Sequence, residues 1–97
     1  MVLPYCVYVL YSKKDGLLYH GFTTNLEKRV IDHNLGRTIS TSKRRPLQLI
    51  YCEFFLYKSD AVRREKYFKT SQGKRMLKLI MRRTLSKLGY KHVIIGN

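Results

Sequence analysis

The run from Tyr5 to Gly21, YCVYVLYSKKDGLLYHG, decides how this chain is read. From Tyr5 to Tyr11 every residue is β-branched, aromatic or otherwise apolar, which suits a strand covered on both faces. The polar stretch Lys13 to Gly16 then makes a turn, with Asp15-Gly16 supplying its positive-φ position. Leu17 to Gly21 reads as a second short strand, so the two segments form an antiparallel hairpin. This pairing brings Tyr8 and Tyr19 onto neighbouring strands.

Beyond the hairpin, Thr24 followed by Glu27 is a capping box that starts a helix running through Asn34, and Gly36 supplies its left-handed stop. Leu26, Val30 and His33 share one face of that helix, with Arg29 beside His33 at the edge of the apolar stripe. Leu35 to Pro46 (LGRTISTSKRRP) is polar, hydroxyl-rich and basic, a loop suited to touching phosphate. Gln48 to Tyr57 (QLIYCEFFLY) reads as a third strand, central or well covered. Ser59 caps a second helix from Asp60 to about Thr70, on which Ala61, Glu65 and Phe68 share a face. A final helix, Lys74 to Leu88, turns Met76, Leu77, Ile80, Met81 and Leu88 inward and Lys74, Arg75, Lys78, Arg82 and Lys87 outward. Tyr90 to Asn97 reads equally as an added strand or a docked tail.

The element order is therefore β-β-α-β-α-α, an α+β chain. Its 97 residues suffice for one domain over 1–97 and one site, since two cores would each be too small to stand alone. With 44% hydrophobic residues it can bury a core, and no long uncharged run argues for a membrane span. Twenty Lys and Arg against six Asp and Glu leave a formal charge of +14, which calls for an anionic partner. Nucleic acid fits this field; a membrane surface normally asks also for an apolar insertion face or lipid anchor, which the sequence lacks. A small basic protein associated with ribosomes stays open as an alternative. Cys6 and Cys52 lie in apolar runs and read as buried free thiols rather than a disulfide framework or zinc site. With no secretory signal at the start, a reducing, cytoplasmic location is expected.

A carboxylate such as Glu65 on an apolar helix face is costly to bury unless it is paired or metal-bound. Both readings are open from the residues alone. Tyr8 and Tyr19 on strands are as readily core as site, Arg29 as readily solvated as functional, and His33 a core histidine as readily as a catalyst. Asn34 either touches substrate or ends its helix.

Taken together, Val7-Tyr8, Tyr19-His20-Gly21, the TTNLEKR stretch ending at Arg29, His33-Asn34 and the REK around Glu65 resemble the GIY-YIG endonuclease superfamily. The similarity is to its small stand-alone bacterial members and runs from about Tyr5 to Ile80. Departures are Cys6 where the first motif opens with glycine, His20 in the apolar middle of the second, and Phe22 where the repair-nuclease branch carries lysine. Strand alternation turns His20 away from Tyr19, so that change need not touch the site.

The resemblance implies a three-stranded antiparallel sheet with flanking helices and a metal-dependent endonuclease that hydrolyses or nicks DNA, which is favoured over RNA. A single Mg²⁺ or Mn²⁺ would be held by Glu65, Arg29 would clamp the scissile phosphate, and Tyr8 or Tyr19 would take the proton of the attacking water. Arg29 and the metal would lower that tyrosine's pKa, His33 would share the proton work or orient a tyrosine hydroxyl, and Gly21 would serve the motif's backbone. The alternative is an inactive or weakly active nucleic-acid-binding module of the same fold in a larger repair or processing complex. In either case Lys43, Arg44 and Arg45 of the loop and Lys74, Arg75 and Lys78 of the last helix are the expected nucleic-acid contacts. Replacing them with alanine should weaken binding whatever the base sequence and flatten its salt dependence, as read from anisotropy titrations over a range of salt; an unchanged slope would remove them from the interface.

Overall fold

The computed structural model describes residues 3–91. Its elements run β1 (Tyr5–Ser12), β2 (Leu18–Thr23), α1 (Leu26–Asn34), β3 (Leu47–Phe55), α2 (Lys58–Phe68), α3 (Ser71–Ile80) and α4 (Arg82–Leu88). The strands form one antiparallel sheet in the order β2-β1-β3, so the all-apolar first strand is the central one. Alternation explains why it tolerates no polar face. Val7 and Val9 pack with Ala61, Phe68, Leu77, Met81 and Leu85 of the C-terminal helices, while Cys6, Tyr8, Leu10 and Leu47 form a second cluster under Leu26 and Val30 of α1. Both faces of β1 are therefore core.

The third strand is not central. β1 spends one edge on each neighbour, leaving β3 at the margin with Leu49 and Phe54 exposed. Its apolar composition has a different cause. The pairing slips by one residue between Val9 and Leu10, which turns both Ile50 and Tyr51 toward the α2 side along with Phe55. Cys52 packs on the opposite cluster and is only partly buried, whereas Cys6 is fully buried; both are free.

Helix starts differ from expectation in instructive ways. β2 continues to Thr23, and the N-cap of α1 is Asn25, whose side chain accepts a hydrogen bond from the Lys28 amide at 3.1 Å; Thr24 does not cap. Thr23 Oγ accepts from the Asn25 amide instead, at 3.0 Å, so the adjacent hydroxyl and amide side chains divide the work. α2 begins at Lys58 after Tyr57, which offers no side-chain cap, and Ser59 lies inside its first turn. The last helix is two: α3 starts three residues earlier than expected on Thr70, whose hydroxyl accepts from Gly73 N at 3.0 Å, and the chain breaks at Met81. Gly73 permits that early start. A Cβ there would sit 1.7 Å from the Tyr67 carbonyl oxygen, so only glycine lets α3 approach the end of α2 so closely. The buried line is narrow, running through Gly73, Leu77, Met81 and Leu85, and it leaves Met76 and Ile80 exposed. Tyr90 packs on the core beside these helices; residues 92–97, where the added strand or docked tail was expected, lie outside the described residues.

The loop between α1 and β3 is irregular yet tightly tied. Buried Ser12 donates to the Arg44 carbonyl at 2.6 Å and accepts from the Lys14 and Asp15 amides, fastening the hairpin turn to the loop. Lys13 N adds a bond to the Pro46 carbonyl at 2.9 Å. Asn34 settles as a structural residue: its amide nitrogen donates to the Leu47 carbonyl at 2.9 Å and its oxygen accepts from Leu47 N at 2.8 Å, clamping the start of β3 to the end of α1. Asn34→Ala removes both bonds and should cost about 1–2 kcal/mol in urea unfolding; a change within error would show that the loop holds β3 without it.

Candidate active site

Gly21 stands directly opposite Tyr8 in the β1–β2 pairing. A Cβ at Gly21 would lie 2.2 Å from the Tyr8 ring carbon that carries the hydroxyl, so the phenol fills the space that any side chain would take. This lets the Tyr8 ring lie across β2 with its hydroxyl 2.8 Å from His33 Nε2. On the far side of the imidazole, Nδ1 lies 2.6 Å from Thr41 Oγ in the loop. Tyr8, His33 and Thr41 are all essentially inaccessible to solvent. They form a continuous hydrogen-bonded chain from the central strand through α1 to the loop.

Tyr19 joins the same cluster from β2. Its ring centroid is 5.2 Å from that of His33 and 6.5 Å from that of Tyr8, and its hydroxyl accepts from Ser40 at 3.3 Å. Unlike Tyr8 it is only half-buried. The alternation expected along β2 holds: His20 faces the other way, toward Phe68 at 6.4 Å.

The electrostatics of Tyr8 are set first by burial. Burial pushes the Tyr8 hydroxyl's pKa well above the ordinary phenol range, and Tyr19 adds to this; Arg29 opposes the rise but does not overcome it. Tyr8 is thus a neutral phenol in this state, not a ready phenolate. Glu65 also raises Tyr8, which places carboxylate and guanidinium within electrostatic reach of the same hydroxyl. His33 is held below the ordinary imidazole value, first by burial and then by Arg29, with Asp32 pulling weakly the other way. A neutral His33 satisfies the chain in two polarities. In one, Tyr8 donates to Nε2 and Nδ1–H donates to Thr41; in the other, Thr41 donates to Nδ1 and Nε2–H donates to Tyr8.

Glu65 projects from α2 between buried Ala61 and Phe68 with its side chain 20% exposed, and its ion-pair partner Lys69 stands 3.7 Å away, beyond hydrogen-bond length. The preceding residue takes the structural part of the REK motif, since Arg64 donates to Glu53 from Nε and Nη2 at 2.8 and 3.0 Å. A loosely paired, half-buried carboxylate suits a hard divalent cation. Among the described residues no three His, Cys, Asp or Glu side chains gather as a ligand set, so a cation held here would have Glu65 as its carboxylate and would depend on water and substrate oxygens for the rest.

The structure thus brings Tyr8, Tyr19, Arg29, His33, Gly21 and Glu65 together. The expected basic contacts fare differently. Arg44 is spent on Asp15, at 2.6 Å from Nε, and this bond draws the Asp15 carboxyl down to about 2. Arg45 is exposed but donates to the Ser42 carbonyl and packs against Gly36, while Lys43 is exposed. Lys74 and Arg75 are exposed on α3, while Lys78 is half-buried with its ammonium 5.7 Å from the Tyr90 ring centroid. Thr41, which holds His33, and Ser40, which holds Tyr19, were not singled out from the sequence. The only signal was the hydroxyl richness of the loop.

Acid should destabilise the fold through two imidazoles, buried His33 and half-buried His20. The unfolded chain binds their protons at the ordinary histidine value near 6.5, whereas folded His20 is held to about 4, by burial first and then by Lys69 and Lys74, and His33 is also lowered. Where the unfolded state binds more protons, stability rises with pH, so the contribution is complete above about pH 6.5 and declines as pH falls toward 4. Urea midpoints measured from pH 7.5 to 4.5 should fall across this window, and a flat profile would place both rings in water.

With this geometry in place, likeness to known proteins falls in one direction. The family model of the GIY-YIG catalytic domain matches residues 4–78. A UPF0213 protein of Staphylococcus saprophyticus is 48% identical over 68 residues, covering 69% of this chain and 83% of that protein. One from Clostridium perfringens is 40% identical over 89 residues, covering 91% and 95%. The solution NMR structure of the UPF0213 protein BH0048 from Bacillus halodurans matches 78% of this chain and 83% of its own with a TM-score of 0.50 and 32% identity. The three-stranded antiparallel sheet with its flanking helices and the family match agree, and the chain belongs to the GIY-YIG family, a superfamily of nucleases.

Proposed function

We propose that this protein is a metal-dependent endonuclease that nicks DNA, and that the Tyr8–His33–Thr41 chain is its proton path. The observation that carries this reading is the 2.8 Å contact between a neutral phenol and a neutral imidazole beside Glu65 and Arg29. A phenol with a raised pKa is a poor base alone. Hydrogen-bonded to His33, Tyr8 needs no free phenolate: its oxygen takes the proton of the attacking water while its own proton passes to Nε2. Thr41 then accepts from Nδ1–H, and the imidazolium formed is stabilised by that bond.

Arg29 offers its planar fork to two oxygens of the scissile phosphate, the group on which negative charge develops. Tyr19, half-buried and held by Ser40, lines the approach to Tyr8 and orients the water. Glu65 would hold Mg²⁺ or Mn²⁺, which would supply Lewis-acid stabilisation of the departing 3′ oxygen. Tyr8 is 1% exposed, so on this reading substrate binding has to bring the water to its oxygen. DNA is favoured over RNA as the substrate, with no membrane involved.

Supercoiled plasmid with Mg²⁺ or Mn²⁺ should be converted to the nicked form, EDTA should stop this, and Glu65→Ala should remove it. Tyr8→Phe and His33→Ala should each lower the rate at least about a hundredfold. Nicking by Glu65→Ala at the natural rate would end the metal assignment. Salt-sensitive binding without any cleavage would favour the binding module of a larger repair or processing complex.

A further inference from the structure

A recess of about 330 Å³ opens on the face of β2 opposite Tyr19. Leu17, Leu18 and buried Leu77 give it an apolar lining, and His20 and Tyr90 add two aromatic rings. Lys74 and Lys78 complete it, and no carboxylate takes part. Among the described residues neither lysine belongs to an ion pair. Its size is that of a small-ligand pocket, and its chemistry is mixed: flat rings and leucines for something planar and apolar, two ammonium groups for something anionic. A nucleotide has both parts.

The recess also adjoins the candidate active site. Lys69 stands 3.7 Å from Glu65 and acts electrostatically on His20, so a single lysine side chain links the two. Tyr19 and His20 are consecutive residues on opposite faces of β2, an edge strand of the described sheet. A nucleic-acid strand lying at Glu65 can therefore pass round that edge into the recess. A base held in a duplex cannot enter it, because its ring faces are covered by its stacked neighbours. Aromatic surface beside a basic groove is how proteins hold unpaired bases.

We propose that this recess is a nucleotide subsite that takes one unpaired nucleotide flanking the scissile phosphate, its base against Tyr90 and the leucines and its phosphate between Lys74 and Lys78. The assignment rests on the nuclease reading and adds to it a substrate class, a strand with unpaired nucleotides beside the cut. It gives Lys74 and Lys78 a role distinct from that of a general basic surface.

The test is equilibrium binding in EDTA, where nothing is cut. Fluorescent DNA duplexes, blunt or carrying a 5′ or 3′ single-stranded extension of about six nucleotides, are titrated by anisotropy with the whole protein. One extended duplex should bind about tenfold more tightly than the blunt one. Leu17→Trp, which fills the recess from an exposed position without changing charge, should erase that preference and leave blunt-duplex affinity unchanged, which also reports that the variant is folded. Joint Lys74→Ala and Lys78→Ala replacement should weaken the extended duplex more than the blunt one. Equal affinity of the natural protein for all three duplexes, or a preference that survives Leu17→Trp, would overturn the subsite. Plasmid nicking without such a preference would leave the nuclease reading standing and remove this one.

Discussion

The absence of a side chain at Gly21 is the constraint from which the candidate site follows. Because nothing projects there, the ring of Tyr8 can lie over β2 and reach His33. A methyl group in that place would overlap the ring, and the ring is boxed in by core on the central strand, so neither could yield cheaply. The hydrogen bond to His33 in turn ties α1 to the sheet, and the bond from His33 to Thr41 ties the loop to α1. Packing and chemistry are thus the same contacts. A polar chain with every member satisfied can be buried in so small a core without the penalty of an orphaned group, and among the described residues no buried side-chain nitrogen or oxygen lacks a partner.

Acid groups are scarce in this chain, and how they are spent sharpens the reading of Glu65. Asp15, Asp32, Glu53 and Asp60 each hold an arginine or lysine at hydrogen-bond distance, and these pairs brace the turn, helix α1, the β3 edge and the start of α2. Glu65 has the loosest of the recorded pairs, although it is more buried than the carboxylates of Asp15 or Asp60. A half-buried carboxylate bears a desolvation cost whether or not it is paired, so weak pairing leaves Glu65 the carboxylate best able to meet a cation, as the proposed function asks of it. The excess of positive charge that remains is spread over the loop, α2 and the C-terminal helices. Only part of it is free to meet phosphate, since Arg44 and Arg64 serve as internal braces.

The hairpin, the helix after it and the two-faced burial of β1 were legible in the sequence, because each rests on local rules: alternation, turn residues and the 3.6-residue period act over a few positions. The same rules misplaced what depends on competition between neighbours. Thr23, Thr24 and Asn25 all can cap a helix, and only the length of β2 decides that Asn25 does. The apolar third strand read as central or well covered, but a strand can gain apolar residues by a one-residue slip at the sheet margin, as at Ile50 and Tyr51. Gly73 carried no mark in the sequence of the close approach that starts α3 early.

Residue type and order along the chain by themselves determined the family, the two-faced burial of β1 and the candidates for the cluster: Tyr8, Tyr19, Arg29, His33 and Glu65 were each identifiable from motif and spacing. Tertiary structure alone decided their states. Burial is a property of the assembled layers, so it is the packed fold that turns Tyr8 into a high-pKa phenol and favours the neutral form of His33. Long-range hydrogen bonds likewise join residues that no local period relates, which is why Thr41 enters the site, Asn34 leaves it for the backbone of Leu47, and Arg44 is withdrawn to Asp15.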